Sequence, residues 1–157
     1  MKKKVIKVLS LLFIATVVLS SCSKDSSTPP VDPRTQYDGI YNVAENWSCQ
    51  VGTTSYNGTD DYNITLSSSV NAGVILISNI ENLSNITLNV NLSGSTFTIP
   101  SQSITIGIYS VIFSGNGTFT SKGITMNYVA NNFPVYDVND NFLGLTALTA
   151  AYTGNKQ

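Results

Sequence analysis

From Tyr37 onward, apolar side chains recur at every second position, and that period restricts the possible folds more than any other feature of the chain. Tyr62, Ile64 and Leu66 alternate with Asn63, Thr65 and Ser67; Ile86, Leu88, Val90 and Leu92 alternate with Thr87, Asn89, Asn91 and Ser93. Phe97 and Ile99 continue against Thr96 and Thr98. Ile104, Ile106 and Ile108 follow against Thr105 and Gly107, and Ile124, Met126 and Tyr128 against Thr125 and Asn127. A period of two sends one set of side chains to a buried face and the other to water, which is the pattern of a half-buried strand. Further strands are expected at 39–47, 73–80, 109–120 and 145–153. No window carries a sustained 3.6-residue stripe with caps. The domain is expected to be all-β.

Turn signals punctuate these runs: Asn57-Gly58, Asn71-Ala72-Gly73, Ser93-Gly94, Pro100-Ser101, Ser114-Gly115-Asn116-Gly117 and Ser121-Lys122-Gly123. Links this short favour consecutive antiparallel hairpins. Strands of this number must hide their edges by closing into a barrel or pairing into a sandwich. A Greek-key sandwich needs a long crossover, and only 131–144 is long enough to supply one. The expectation is an antiparallel up-and-down barrel of 8–9 strands, with a β-sandwich as the alternative.

Composition removes most catalytic chemistry. The chain of 157 residues has no histidine, so the commonest general base and metal ligand are missing. Two cysteines without histidine cannot complete a four-ligand zinc site, and no cofactor is implied. Charged residues make up 11%, against roughly 25% in an average soluble protein; Ser, Thr and Asn take their place. A net charge of −1 offers no electrostatic footprint for nucleic acid.

Residues 1–21 form an address. Lys2, Lys3, Lys4 and Lys7 precede an apolar run from Val8 to Leu19, shorter than the about 20 residues of a membrane span and suited to a secretory signal. Leu19-Ser20-Ser21-Cys22 resembles a bacterial lipobox, in which the Cys22 thiol is diacylated and the chain is cut before it. Cleavage removes four of eight basic residues and none of nine acids, leaving about −5. Residues 22–36, rich in Pro and Ser, read as a disordered tether between lipid and a domain spanning 37–153, with 154–157 as a tail. Lys24-Asp25 resembles the charged export tag of surface lipoproteins of Bacteroidota, although that tag usually carries more acids. The expected location is therefore the outer membrane of a cell envelope, with exposure at the surface resting on that tag.

Four segments carry a wider resemblance: Tyr37-Asp38-Gly39-Ile40-Tyr41-Asn42-Val43, Phe97-Thr98-Ile99-Pro100-Ser101-Gln102, Ser114-Gly115-Asn116-Gly117-Thr118-Phe119 and Leu148-Thr149-Ala150-Ala151-Tyr152-Thr153. Together they resemble the small lipocalin-like lipoproteins of Bacteroidota, over about 37–153. The resemblance implies a lipocalin-like barrel behind a lipid anchor and assigns no functional residue.

Candidate ligand contacts are aromatic: Trp47, Tyr41, Tyr62 and Tyr128, of which the three tyrosines also suit the core. Cys49, left alone once Cys22 is acylated, is expected to be a small buried hydrophobe. Asp137-Val138-Asn139-Asp140-Asn141 lacks the glycine and glutamate of a calcium loop and reads as an Asx-rich turn. Asp60-Asp61 reads as a solvated loop. A glycosidase needs two carboxylates at a set separation, and the sequence brings no pair of acids together. The expected function is a non-enzymatic, lipid-anchored binding module for a small apolar molecule or a glycan. The alternative is a structural envelope lipoprotein with a filled barrel and a protein partner.

Overall fold

The structure, a computed structural model, describes residues 31–157. The expected signal peptide, the expected lipidation site Cys22 and most of the expected tether lie outside the described residues. Eight antiparallel strands follow one another round a closed barrel: β1 (Gly39–Val51), β2 (Thr54–Ser68), β3 (Val74–Ser78), β4 (Thr87–Ser93), β5 (Thr96–Ile106), β6 (Tyr109–Phe119), β7 (Gly123–Tyr136) and β8 (Phe142–Lys156). Each strand pairs with its neighbours in sequence, and β8 closes the ring on β1, from Tyr41↔Lys156 to Cys49↔Leu148. This is the up-and-down, lipocalin-like barrel, and it excludes the sandwich. The segment 131–144 is no crossover, because β7 continues to Tyr136 and a five-residue loop leads into β8.

The alternating pattern explains the interior. Tyr41, Val43, Tyr62, Ile64, Leu66, Leu88, Val90, Phe97, Ile99, Met126 and Tyr128 are all buried, as their parity requires. Three expected turns are strand instead. Asn57-Gly58 lies within β2, because the hairpin turns earlier, at Gly52 and Thr53. Ser114-Gly115-Asn116-Gly117 runs inside β6, paired with both β5 and β7. Pro100-Ser101 sits at a register shift inside β5, where a residue lacking an N–H is tolerated.

The base of the barrel holds the β2–β3, β4–β5 and β6–β7 links; the mouth holds β1–β2, β3–β4, β5–β6 and β7–β8. The base is sealed. A short 3-10 turn, Pro33–Gln36, crosses it, capped by the Asp32 side chain. Arg34 Nη1 donates to the carbonyls of Ser69, Asn71 and Val74 at 2.9, 2.6 and 2.9 Å. Tyr37 then stacks on Phe119 at 4.2 Å. The tether expected to reach Gln36 therefore ends earlier, since 32–36 belong to the barrel through Arg34. The expected tail is also strand: β8 reaches Lys156, and the Gln157 amide donates to the Ile40 carbonyl.

The wall is uneven. β3 and β4 span 5 and 7 residues, whereas β1, β2, β5, β6, β7 and β8 span 11 to 15. β4 pairs with β5 only over Asn91–Ser93. Above that, the Gln102 amide replaces a strand, accepting from the Asn89 N–H at 3.0 Å and donating to its carbonyl at 2.9 Å. Towards the mouth, the low wall of β3 and β4 is continued by the segment 79–86.

Candidate functional site

The chain contains two glutamates, Glu45 and Glu81, and the fold brings them together inside the barrel. Glu45 takes an inward position on β1, next after Tyr41 and Val43, and is 1% exposed. Glu81 comes from the opposite wall. The segment 79–86 turns into the lumen, burying Ile80 completely and carrying Glu81 across to Tyr128 on β7. Three phenols complete the cluster. Tyr62 and Tyr128 donate to Glu45 Oε2 and Oε1, each at 3.1 Å, and Tyr128 also hydrogen-bonds Glu81 Oε1. Tyr152 lies 3.0 Å from the Tyr128 hydroxyl and hydrogen-bonds Tyr62. The Glu81 amide donates to the Tyr62 hydroxyl at 2.9 Å.

The hydrogen-bond arithmetic calls for a proton on the carboxyls. Five oxygen–oxygen hydrogen bonds join the phenols and carboxyls, and the phenols bring three protons. Three protons cannot make five bonds, so at least one carboxyl carries a proton of its own. No cation is available: the three described basic residues, Arg34, Lys122 and Lys156, belong to the base. Burial and the neighbouring carboxylate push Glu81 up to about 8, and burial raises Glu45 as well. Burial and the surrounding negative charge raise the three phenols further above their ordinary value, so they stay neutral.

Above this floor the lumen opens into two adjoining cavities that share Asp60 and Glu81. One, about 290 Å³, is acidic, lined by Glu45, Asp60, Asp61, Glu81, Tyr62 and Asn82. The other, about 240 Å³, is mostly apolar, with Trp47, Phe133, Val135 and Leu148 on its walls. Trp47 is placed by its cross-strand partner Gly58, since a Cβ there would lie 2.6 Å from the indole. Its Nε1–H donates to Asp60 Oδ2 at 2.7 Å. A larger recess of about 640 Å³ lies outside the base, but its two charged groups, Asp32 and Arg34, are paired with each other.

Of the aromatic candidates, Trp47, Tyr62 and Tyr128 converge on the mouth cavities or their floor. Tyr41 does not: it is buried near the base, donating to the Tyr37 carbonyl at 2.9 Å. Asp60 and Asp61 lie in β2 rather than in a loop. Cys49 is buried and free, its thiol pushed up by burial. Asp137 forms the expected Asx turn, accepting from the Asn139 and Asn141 backbone amides at 2.8 and 2.9 Å, and the Asn141 side-chain amide, donating at 2.9 Å, together with these two holds its carboxyl below the usual range. Glu45 had a signal in the sequence, an acid at the inward parity of β1. Glu81 had none, lying between two alternating runs. No family model, curated protein or solved structure matches the chain.

Proposed function

We propose that this chain is a lipid-anchored lipoprotein of the cell envelope whose barrel binds a small ligand at its mouth without catalysing a reaction on it. The observation that carries this reading is the pair of adjoining cavities, one aromatic and one acidic. Of the two ligand classes the sequence leaves open, the cavities favour a glycan. A sugar ring has an apolar face for Trp47 and hydroxyl donors for Asp60 and Glu81. A wholly apolar ligand would strip water from those carboxyls and return no hydrogen bond, at roughly 1–3 kcal/mol for each group. The charge distribution supports the anchor's geometry, with described basic residues at the base beside the tether and Glu45, Asp60, Asp61 and Glu81 at the mouth.

Trp47 is the chain's one tryptophan, so intrinsic fluorescence reports directly on the site. Titrating the mature chain with methyl glycosides and short oligosaccharides is expected to shift that emission. Trp47→Ala and Asp60→Asn, followed by calorimetry, are expected to weaken binding at least about tenfold, since each removes one anchoring contact. No response to any saccharide at millimolar concentration would end the glycan reading.

A second reading has its own support. Ile108, Tyr136, Val138, Phe142, Leu143 and Leu145 are exposed on the neighbouring β5–β6 and β7–β8 ends of the mouth. An apolar rim of this kind suits a protein partner. Both readings depend on the anchor, which has a separate check. Cys22→Ala is expected to leave unprocessed precursor without acyl chains. Cleavage after Ser21 and membrane fractionation like wild type would refute lipidation.

A further inference from the structure

We propose that the segment 79–86 is a lid over the barrel lumen, latched shut by a carboxyl proton in the cluster where the Tyr128 hydroxyl joins Glu45 to Glu81, and released when that proton is lost. The lid shows in the topology. β3 and β4 stand opposite β7 and β8 in the ring, yet Glu81, from the β3–β4 link, hydrogen-bonds Tyr128 of β7. The two side chains meet within the lumen, so the segment, seated beside β2, reaches inward over the barrel's interior through Ile80 and Glu81. Its stem is closed by the Asn79 amide on the Ile86 carbonyl at 3.0 Å and by Asn79 Nδ2 on the Asn63 carbonyl at 2.6 Å. Its tip is held by Ile80 and by the Glu81 contacts alone among polar groups.

The segment is also sprung. Asn79, Glu81 and Asn82 have φ of 67, 56 and 54°; asparagine tolerates this left-handed backbone, but glutamate rarely adopts it. Such a conformation persists where the surroundings enforce it, and here the enforcement is the carboxyl–phenol cluster. From each element packed on Glu81 the facing titratable groups are Glu45 from β1, Asp60 and Tyr62 from β2, Tyr128 from β7 and Tyr152 from β8. All are acids or neutral phenols. Ionising both carboxyls sets two anions on the one Tyr128 hydroxyl with no counter-charge, and swinging the lid outward separates them.

The sign of the pH dependence follows by linkage. In the closed lid Glu81 titrates at about 8; released to water it returns to the ordinary carboxyl range near ~4.3–4.5. The closed state therefore holds the extra proton. Its advantage is complete below the ordinary range, falls about tenfold per pH unit above it, and levels off beyond about 8.

Hydrogen exchange of the full mature chain tests this without any ligand. The Glu81 amide is the reporter, because its acceptor, the Tyr62 hydroxyl, is lost on opening. After correction for intrinsic exchange, its protection is expected to fall about fiftyfold from pH 6 to pH 8, while amides of β1 and β6 keep theirs. Glu81→Gln keeps the shape and removes the titration, so its protection is expected to be flat; if that variant does not fold, Glu45→Gln, which removes the neighbouring charge, is expected to make the fall shallower. A flat wild-type profile, an unchanged slope in the glutamine variant, or a simultaneous loss in β1 and β6 overturns the lid. A flat profile alongside glycoside binding removes the lid alone, and a moving lid with no glycoside binding removes only the ligand reading.

Discussion

Leu88→Asn is expected to lower the stability of the domain by about 3–8 kcal/mol, while Asn89→Ser leaves it within about 0.5 kcal/mol of wild type. The two positions are adjacent on β4 and face opposite ways: Leu88 is fully buried, and Asn89 is exposed. Removing a buried leucine side chain costs about 2–5 kcal/mol. An amide left without partners in its place adds roughly 1–3 kcal/mol. The sum is a large share of the roughly 5–15 kcal/mol that holds an ordinary domain together. Asn89 contributes its backbone rather than its side chain, through the two bonds to Gln102, and serine keeps both. Denaturant melts of the two variants decide the matter. Comparable losses would mean that β4 is covered on both faces, which a single-layer barrel forbids.

The same alternation accounts for how much of the fold could be read from residues alone. Burial parity is a local property repeated along every strand, so the inward sets of β2, β4, β5 and β7 were legible, and short links between them pointed to the barrel. Turn chemistry misled where glycine serves space rather than conformation. Gly58, Gly115 and Gly117 lie within strands, and none has a positive φ. Gly58 lies under the indole of Trp47, and Gly117 faces the ring of Phe97. Both needs arise from a side chain on a neighbouring strand, beyond the reach of a dipeptide pattern. The candidate site divides in the same way. Trp47, Tyr62 and Tyr128 are aromatic residues on alternating strands and could be singled out. The Glu45–Glu81 pair depends on a link reaching into the lumen, a tertiary event with no periodic trace.

If those glycines are there for space, Gly117→Ala and Gly115→Ala should each cost more than Gly94→Ala. Gly94 has φ of 62° and open space around it, so alanine there meets only backbone strain, roughly 1–2 kcal/mol. At Gly117 a Cβ would lie 2.2 Å from the Phe97 ring and 2.5 Å from the Thr125 carbonyl oxygen. At Gly115 it would lie 2.3 Å from the Asn127 carbonyl oxygen and 2.8 Å from the Tyr128 Cα. Backbone cannot rotate aside as a side chain does, so β6 and β7 must separate. Overpacking of this kind costs about 1–3 kcal/mol, and more where the ladder itself has to move. Thermal melts are expected to rank both variants below Gly94→Ala; equal losses at all three positions would mean that backbone freedom is what these glycines supply. Gly115→Ala should also displace Tyr128, the residue that joins Glu45 to Glu81. Its 79–86 segment is therefore expected to exchange faster than that of Gly117→Ala at equal overall stability, because one substitution disturbs the latch and the other only the wall.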